Sequence, residues 1–233
     1  MGTAADNCTT GSDCLGFDAA VQARRSVRAF RPEPVARELL EHVFALANHA
    51  PSNCNTQPWH TVIASGAACE RLRQKFQQAL ALGQYAMDFP YEGRYAGVFR
   101  ERQFDAAERL YGAMGIARED KAARGAAFMR NFAFFDAPHV VFLFMPDWCG
   151  IREAADVGMY AQTLMLGLSA HGLASCPQTA LSFNADMVRE ELGVDASYRL
   201  LFGLSLGYED TAHPANDSRI GRASLGEVLR FVD

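Results

Sequence analysis

The sequence predicts one α+β domain, and three observations carry that expectation. At 233 residues the chain can bury a full core without dividing. Apolar residues recur at helical spacing in several segments, whereas 139–145 and 198–207 read as core strands, the former a continuous β-branched and aromatic run. No internal repeat and no linker of shifted composition interrupts the chain.

Each element follows from local pattern. Residues 1–16 are polar and rich in Gly, Thr and Ser, without the basic and apolar regions of a secretory signal. They are read as a flexible extension preceding a single domain over 17–233. Asp18 is the expected N-cap of a short helix running into Arg24, and Pro32 and Pro34 then break the chain. Leu39, Leu40, Val43, Phe44, Leu46 and Ala47 predict a helix over 36–48. A short strand follows at 61–64, and Leu72, Phe76, Ala79 and Leu80 mark a second amphipathic helix. Segments 100–115 and 119–130 mix dense charge with apolar spacing, which suggests two exposed, lid-like helices within a variable segment, about 84–136. Most aromatics there (Phe89, Tyr91, Tyr95, Phe99, Phe104, Tyr111) are expected to pack those helices. The helix expected at 153–170 is apolar nearly all round after Asp156. Such a helix must be covered on every side, which points to a core position plus a subunit interface. The alternative is a central helix of a monomer. Ser224 and Glu227 form a capping box for a last short helix.

Composition narrows the function. A net charge of −5 argues against a nucleic-acid partner. No apolar run approaches the roughly 20 residues of a membrane span. Six cysteines lack CxxC spacing and fit a reducing, cytoplasmic setting, and the six histidines show no grouping that suits a metal.

Against that acidic background two runs stand out. Arg24, Arg25, Ser26 and Arg28 place three guanidiniums and a hydroxyl within five residues, and Arg forks match phosphate oxygens bidentately. The loop 50–59 carries Pro51, Ser52, Asn53, Asn55 and Gln57 before Pro58 and Trp59. Its amides donate and accept at once, which suits a ring of alternating carbonyls and nitrogens. With no GxGxxG and no P-loop, a phosphate would be held by side chains and not by a glycine cradle. A solvated basic helix end is the bland reading of the first run.

In order along the chain, these runs resemble the FMN site of the nitroreductase family. The resemblance extends to the segment containing Pro177, Gln178 and Thr179, to 188–193 and 204–208, and to a late run with Arg219 and Arg222, covering roughly 17–233. It implies a three-layer fold, a mixed central sheet flanked by helices, and an intertwined homodimer. It further implies that Arg24, Arg25, Ser26 and Arg28 contact the FMN phosphate, ribityl chain and pyrimidine edge. Pro51, Ser52, Asn53, Asn55 and Gln57 would come from the partner subunit. Pro177, Gln178 and Thr179 would lie along the ring, with Arg222 closing on the phosphate and Arg219 beside it. The acidic residue and glycine that some members carry near 178–179 are missing here.

The activity implied is hydride transfer from NAD(P)H through FMN to a nitroaromatic, quinone or similar flat acceptor, by a ping-pong mechanism. No side chain need serve as acid or base, since solvent can protonate the products, and no metal is called for. Cys54 and Cys176 lie within the motifs, yet nothing marks a Cys–His nucleophile. Two alternatives are reductive dehalogenation of a phenol, for which Glu92, Arg94, Tyr95 and Lys121 would be needed, and a non-catalytic flavin-binding or storage protein.

Overall fold

The structure, a computed structural model, describes residues 14–233, so most of the expected extension, Cys8 included, lies outside the described residues. The described chain runs α1 (Phe17–Ala23), α2 (Arg37–Ala47), β1 (His60–Ser65), α3 (Gly66–Ala81), α4 (Gly97–Ala113) and α5 (Lys121–Met129). It continues through β2 (His139–Pro146), α6 (Ile151–Ala170), β3 (Ala174–Gln178), α7 (Ala185–Leu192), β4 (Tyr198–Gly207) and α8 (Leu225–Val228).

The architecture is α+β in three layers, organised by β2. Its seven residues from His139 to Met145 are buried because both faces of this strand are covered. Side chains alternate across a strand, so Val140, Phe142 and Phe144 enter one core with Leu72 and Phe76 of α3 and Val188 of α7. Val141, Leu143 and Met145 enter the other, with Val43 of α2 and Val157, Leu164 and Leu168 of α6. A bulge keeps β4 in step with both cores. Leu143 pairs with Phe202 but Phe144 pairs with Leu200, so one extra β4 residue is accommodated there. The slip lets Leu200 face the α3 core while Leu204 and Leu206 face the α6 core.

The strand order is β1-β2-β4-β3, and these strands pair antiparallel throughout. Among the described residues parallel pairing is confined to two isolated bridges, Ala86 to Asn184 and Ser26 to Ser175, and at the second the arginine run lies along the outer edge of β3. Pro177 is tolerated in β3 because that strand is paired with β4 on one side only.

Several expectations need adjustment. Gly16, not Asp18, caps α1; Asp18 lies in the first turn, where a carboxylate complements the helix dipole. α4 and α5 have no buried residues, and Tyr91, Tyr95, Phe99 and Phe104 are largely exposed, so these aromatics do not form a core for the lid. The lid is tied down by polar bonds. Asp88 accepts from Arg189 and from the Leu200 amide, and Arg102 of α4 pairs with Glu227 of α8 at 3.0 Å. Glu227 also completes the expected capping box with Ser224.

Within one chain the long helix α6 is covered on its core side and open on the other. Val157, Tyr160, Ala161, Leu164 and Leu168 are covered, whereas Ile151, Ala155, Gly158, Met159 and Gln162 form one exposed stripe. The close approach permitted by its small residues is made within the chain. A Cβ on Gly167 would stand 3.0 Å from Val43 of α2.

Candidate active site

The site is built on the β3 edge. From Arg24 the backbone is extended, and alternation separates the arginines. Val27 is buried and its amide donates to the Ser175 carbonyl at 3.0 Å, which fixes the run against β3. Arg25 forms an ion pair with Glu209, so its charge is answered inside the protein. Arg24 differs. No described carboxylate pairs with it, and its pKa is lowered by burial and by the nearby charge of Arg222. The charge of Arg222 disfavours that of Arg24, and a phosphate between the two would remove that repulsion. Arg222 itself donates only to its neighbouring carbonyls, Ile220 at 3.1 Å and Gly221 at 2.9 Å. The described residues therefore fit a phosphate at Arg24 and Arg222.

One residue missed in the sequence reading organises this corner. Asn216 is buried; its amide oxygen accepts from the Arg28 backbone at 2.7 Å, and its nitrogen donates to the carbonyls of Ala29 and Asp210. The Asn216 carbonyl in turn accepts from Arg219 at 2.6 Å. Asn216 thereby links the arginine run to the tail that carries Arg219 and Arg222. No motif flags it, although an Asn soon after His213 and Pro214 is a turn signal. The Arg28 side chain reaches the Ser26 carbonyl at 3.3 Å and lines a small cavity of about 60 Å³ beneath α4 and α5, with Tyr111, Phe128 and Asn131.

The β3 residues play unequal parts. Gln178 is buried, donating to Asn131 and accepting from Ser205, so both ends of its amide are occupied. Pro177 is partly exposed and Thr179 is exposed at the end of the strand. Burial pushes the Cys176 thiol up to about 11, with Arg28 and Ser26 only partly opposing that shift. A thiol held neutral in this way is not the nucleophile of the site.

The second run lies elsewhere. The loop precedes β1, at the opposite edge of the sheet. Three strand spacings separate the edges, on the order of 14 Å. The loop is rigidly set. Asn53 donates its amide to Asp156 at 3.0 Å, Ser52 Oγ accepts from the Gln57 amide at 2.9 Å, and Cys54, Asn55 and Gln57 adopt left-handed backbone. Trp59 stacks on Tyr160 and donates to Asn48. Pro51, Asn53, Asn55 and Gln57 remain exposed. Within one chain the structure thus gathers Arg24, Ser26, Arg28, Pro177, Gln178, Thr179, Arg219 and Arg222, but not the loop. It turns Arg25 toward Glu209.

Comparison with known proteins settles the family. The Nitroreductase family model matches residues 21–208. The chain belongs to the nitroreductase family. It is 50% identical to nitroreductase NfnB of Mycolicibacterium smegmatis over 91% of this chain and 90% of that protein. It is 35% identical to a 4-nitrobenzoate reductase of Pseudomonas putida, covering 93% and 95% respectively. Among solved structures, FMN-dependent NfnB from Mycobacterium smegmatis in complex with NADPH superposes with a TM-score of 0.89. The identity is 49%, and 93% of this chain and 97% of that one are covered. No helix among the described residues is long and apolar enough to cross a membrane.

Proposed function

We propose that this nitroreductase-family chain is an FMN-dependent oxidoreductase that draws hydride from NADPH and reduces a nitroaromatic or similar flat acceptor. The observation that carries the reading is the match to the nitroreductase family over residues 21–208, and Arg24, which no described carboxylate pairs and on which the charge of Arg222 bears, supports the phosphate end of it. FMN, when bound, supplies the hydride chemistry. The protein's part is to hold and tune it. Arg24 and Arg222 take the phosphate, Ser26 and Arg219 stand beside the ribityl chain, and Arg28 stabilises negative charge at the pyrimidine edge. Pro177, Gln178 and Thr179 border the ring, with Gln178 acting through its fixed backbone because its side chain is already bonded.

The same proposal makes the enzyme a homodimer, with Pro51, Ser52, Asn53, Asn55 and Gln57 supplied to each flavin by the partner. The loop stands at the far edge of its own sheet, too distant to join the arginines of its own chain. Ile151 and Met159 of α6, and Leu225, Val228, Phe231 and Val232 near the C-terminus, expose apolar surface suited to a second copy. A cytoplasmic location fits the scattered cysteines.

The test is direct. Purified protein should be yellow, NADPH should bleach it without oxygen, and 4-nitrobenzoate should restore the colour. Steady-state data should give parallel double-reciprocal lines. A colourless preparation that also refuses added FMN overturns the reading. Bound flavin that neither nicotinamide bleaches would favour a storage protein. Nothing favours the dehalogenase: Glu92, Arg94, Tyr95 and Lys121 are all exposed, and among the described residues no side-chain hydrogen bond or ion pair joins Glu92, Arg94 or Lys121.

A further inference from the structure

The lid helices border a second cavity, of about 390 Å³ and open to solvent, that the flavin site leaves unused. Phe104, Glu108 and Tyr111 of α4 form one wall, and Ile116, Arg118 and Arg124 form the other. Its chemistry is aromatic and basic together. Arg124 lies over the Tyr111 ring, 4.8 Å from the centroid, and spends one N–H on the Arg118 carbonyl at 3.0 Å. Arg100 lies similarly over Phe104, at 5.1 Å. Elsewhere on α4, Arg102 and Arg109 are ion-paired, with Glu227 and Asp105. Arg118 and Arg124 have no carboxylate partner among the described residues, so most of their donors are uncommitted. Tyr111 also lines the cavity that Arg28 lines, so the two cavities share a side chain beside the flavin's expected edge.

We infer that this chamber receives the 2′-phosphorylated adenosine end of NADPH and makes the enzyme prefer NADPH to NADH. The inference rests on the FMN reading above. A flat purine can stack on Tyr111 or Phe104, with guanidiniums adding cation–π attraction. A phosphate monoester carries close to two negative charges and three acceptor oxygens, which suits the forks of Arg118 and Arg124. The hydroxyl that NADH offers at that position leaves both charges unanswered. Glu108, at the rim, can accept from the purine's exocyclic amine and disfavours additional anions.

The test separates this inference from its parent. FMN-loaded protein is titrated calorimetrically with adenosine 2′,5′-bisphosphate and with adenosine 5′-monophosphate. The bisphosphate should bind at least about tenfold more tightly. Arg118→Gln with Arg124→Gln should abolish the difference while flavin content and melting temperature stay unchanged. In the same variant the concentration of NADPH needed for half-maximal flavin bleaching should rise by a similar factor. Equal binding of the two nucleotides overturns the inference, as does a folded double variant that keeps the preference. Displacement of the bisphosphate by 4-nitrobenzoate would reassign the chamber to the acceptor, also overturning it. Bisphosphate binding without bleaching by either nicotinamide would leave the subsite standing and remove the parent reading instead.

Discussion

The charge of Arg222 bears on Arg24 with no described carboxylate paired to either guanidinium. An anionic ligand, and a flavin phosphate in the function proposed above, would answer both charges. Replacing Arg222 or Arg24 by Ala should remove one charge-assisted contact. The expected loss is about 1.5–3 kcal/mol of FMN affinity, roughly ten- to a hundredfold in Kd. Arg109→Ala, which breaks only an exposed pair with Asp105, should leave flavin retention unchanged. Flavin fluorescence titration of the three variants decides this; equal retention would refute the assignment.

Gly203 is a packing requirement of the edge that carries the site. A Cβ there would stand 2.6 Å from Leu181 and 2.7 Å from its Cβ, on the turn that follows β3. Gly203→Ala should therefore cost about 1–3 kcal/mol, since neither backbone can retreat without disturbing β4. Chemical denaturation monitored by circular dichroism gives the number.

His139 should make stability depend on pH. The Val35 amide donates to Nε2 at 2.9 Å, so the ring is neutral with its proton on Nδ1, directed to Ser65 Oγ at 2.6 Å. Burial lowers its pKa below the unfolded value of about 6.5. Below that value the unfolded chain binds more protons than the folded one. The contribution is thus complete above about pH 6.5 and is lost as pH falls toward the folded pKa. Melting temperature should drop on acidification from about pH 7 to pH 5, and less steeply in His139→Gln, whose amide can accept and donate without titrating. Identical slopes would remove His139 as a cause.

The two sides of α6 should respond differently to charge. Ala161 and Leu164 are 2% and 0% exposed within the protomer, so a carboxylate there should unfold the chain and not merely separate subunits. Met159 is 41% exposed and Gly158 has open space around its Cβ position. Met159→Glu should leave a folded protomer that no longer dimerises. Size exclusion combined with thermal melting distinguishes the two outcomes.

Much of the fold was legible because period decides it. The doubly buried β2, the strand 198–207 and the stripes of α2 and α3 are each dictated by where their apolar residues fall. The arginine run and the amide loop were legible as chemistry, but their separation was not. Strand order alone puts them at opposite edges, and no local pattern encodes strand order. The same limit hid the pairing of Arg25 with Glu209, residues 184 positions apart, and the role of Asn216, whose partners are mostly backbone atoms. Within one chain α6 leaves one stripe open, Ile151, Ala155, Gly158, Met159 and Gln162, which is the side left for the subunit interface that its apolar composition suggested.

The central claim is that each FMN is held by the Arg24 and Arg222 edge of one chain and completed by the amide loop of another. Cofactor and dimer should then be linked by mass action. Sedimentation velocity of the FMN-loaded protein, recorded at the flavin band across a dilution series, tests this most directly. The account predicts that flavin absorbance sediments with the dimer alone and is released as the dimer dissociates. A monomer that sediments with stoichiometric flavin would contradict it.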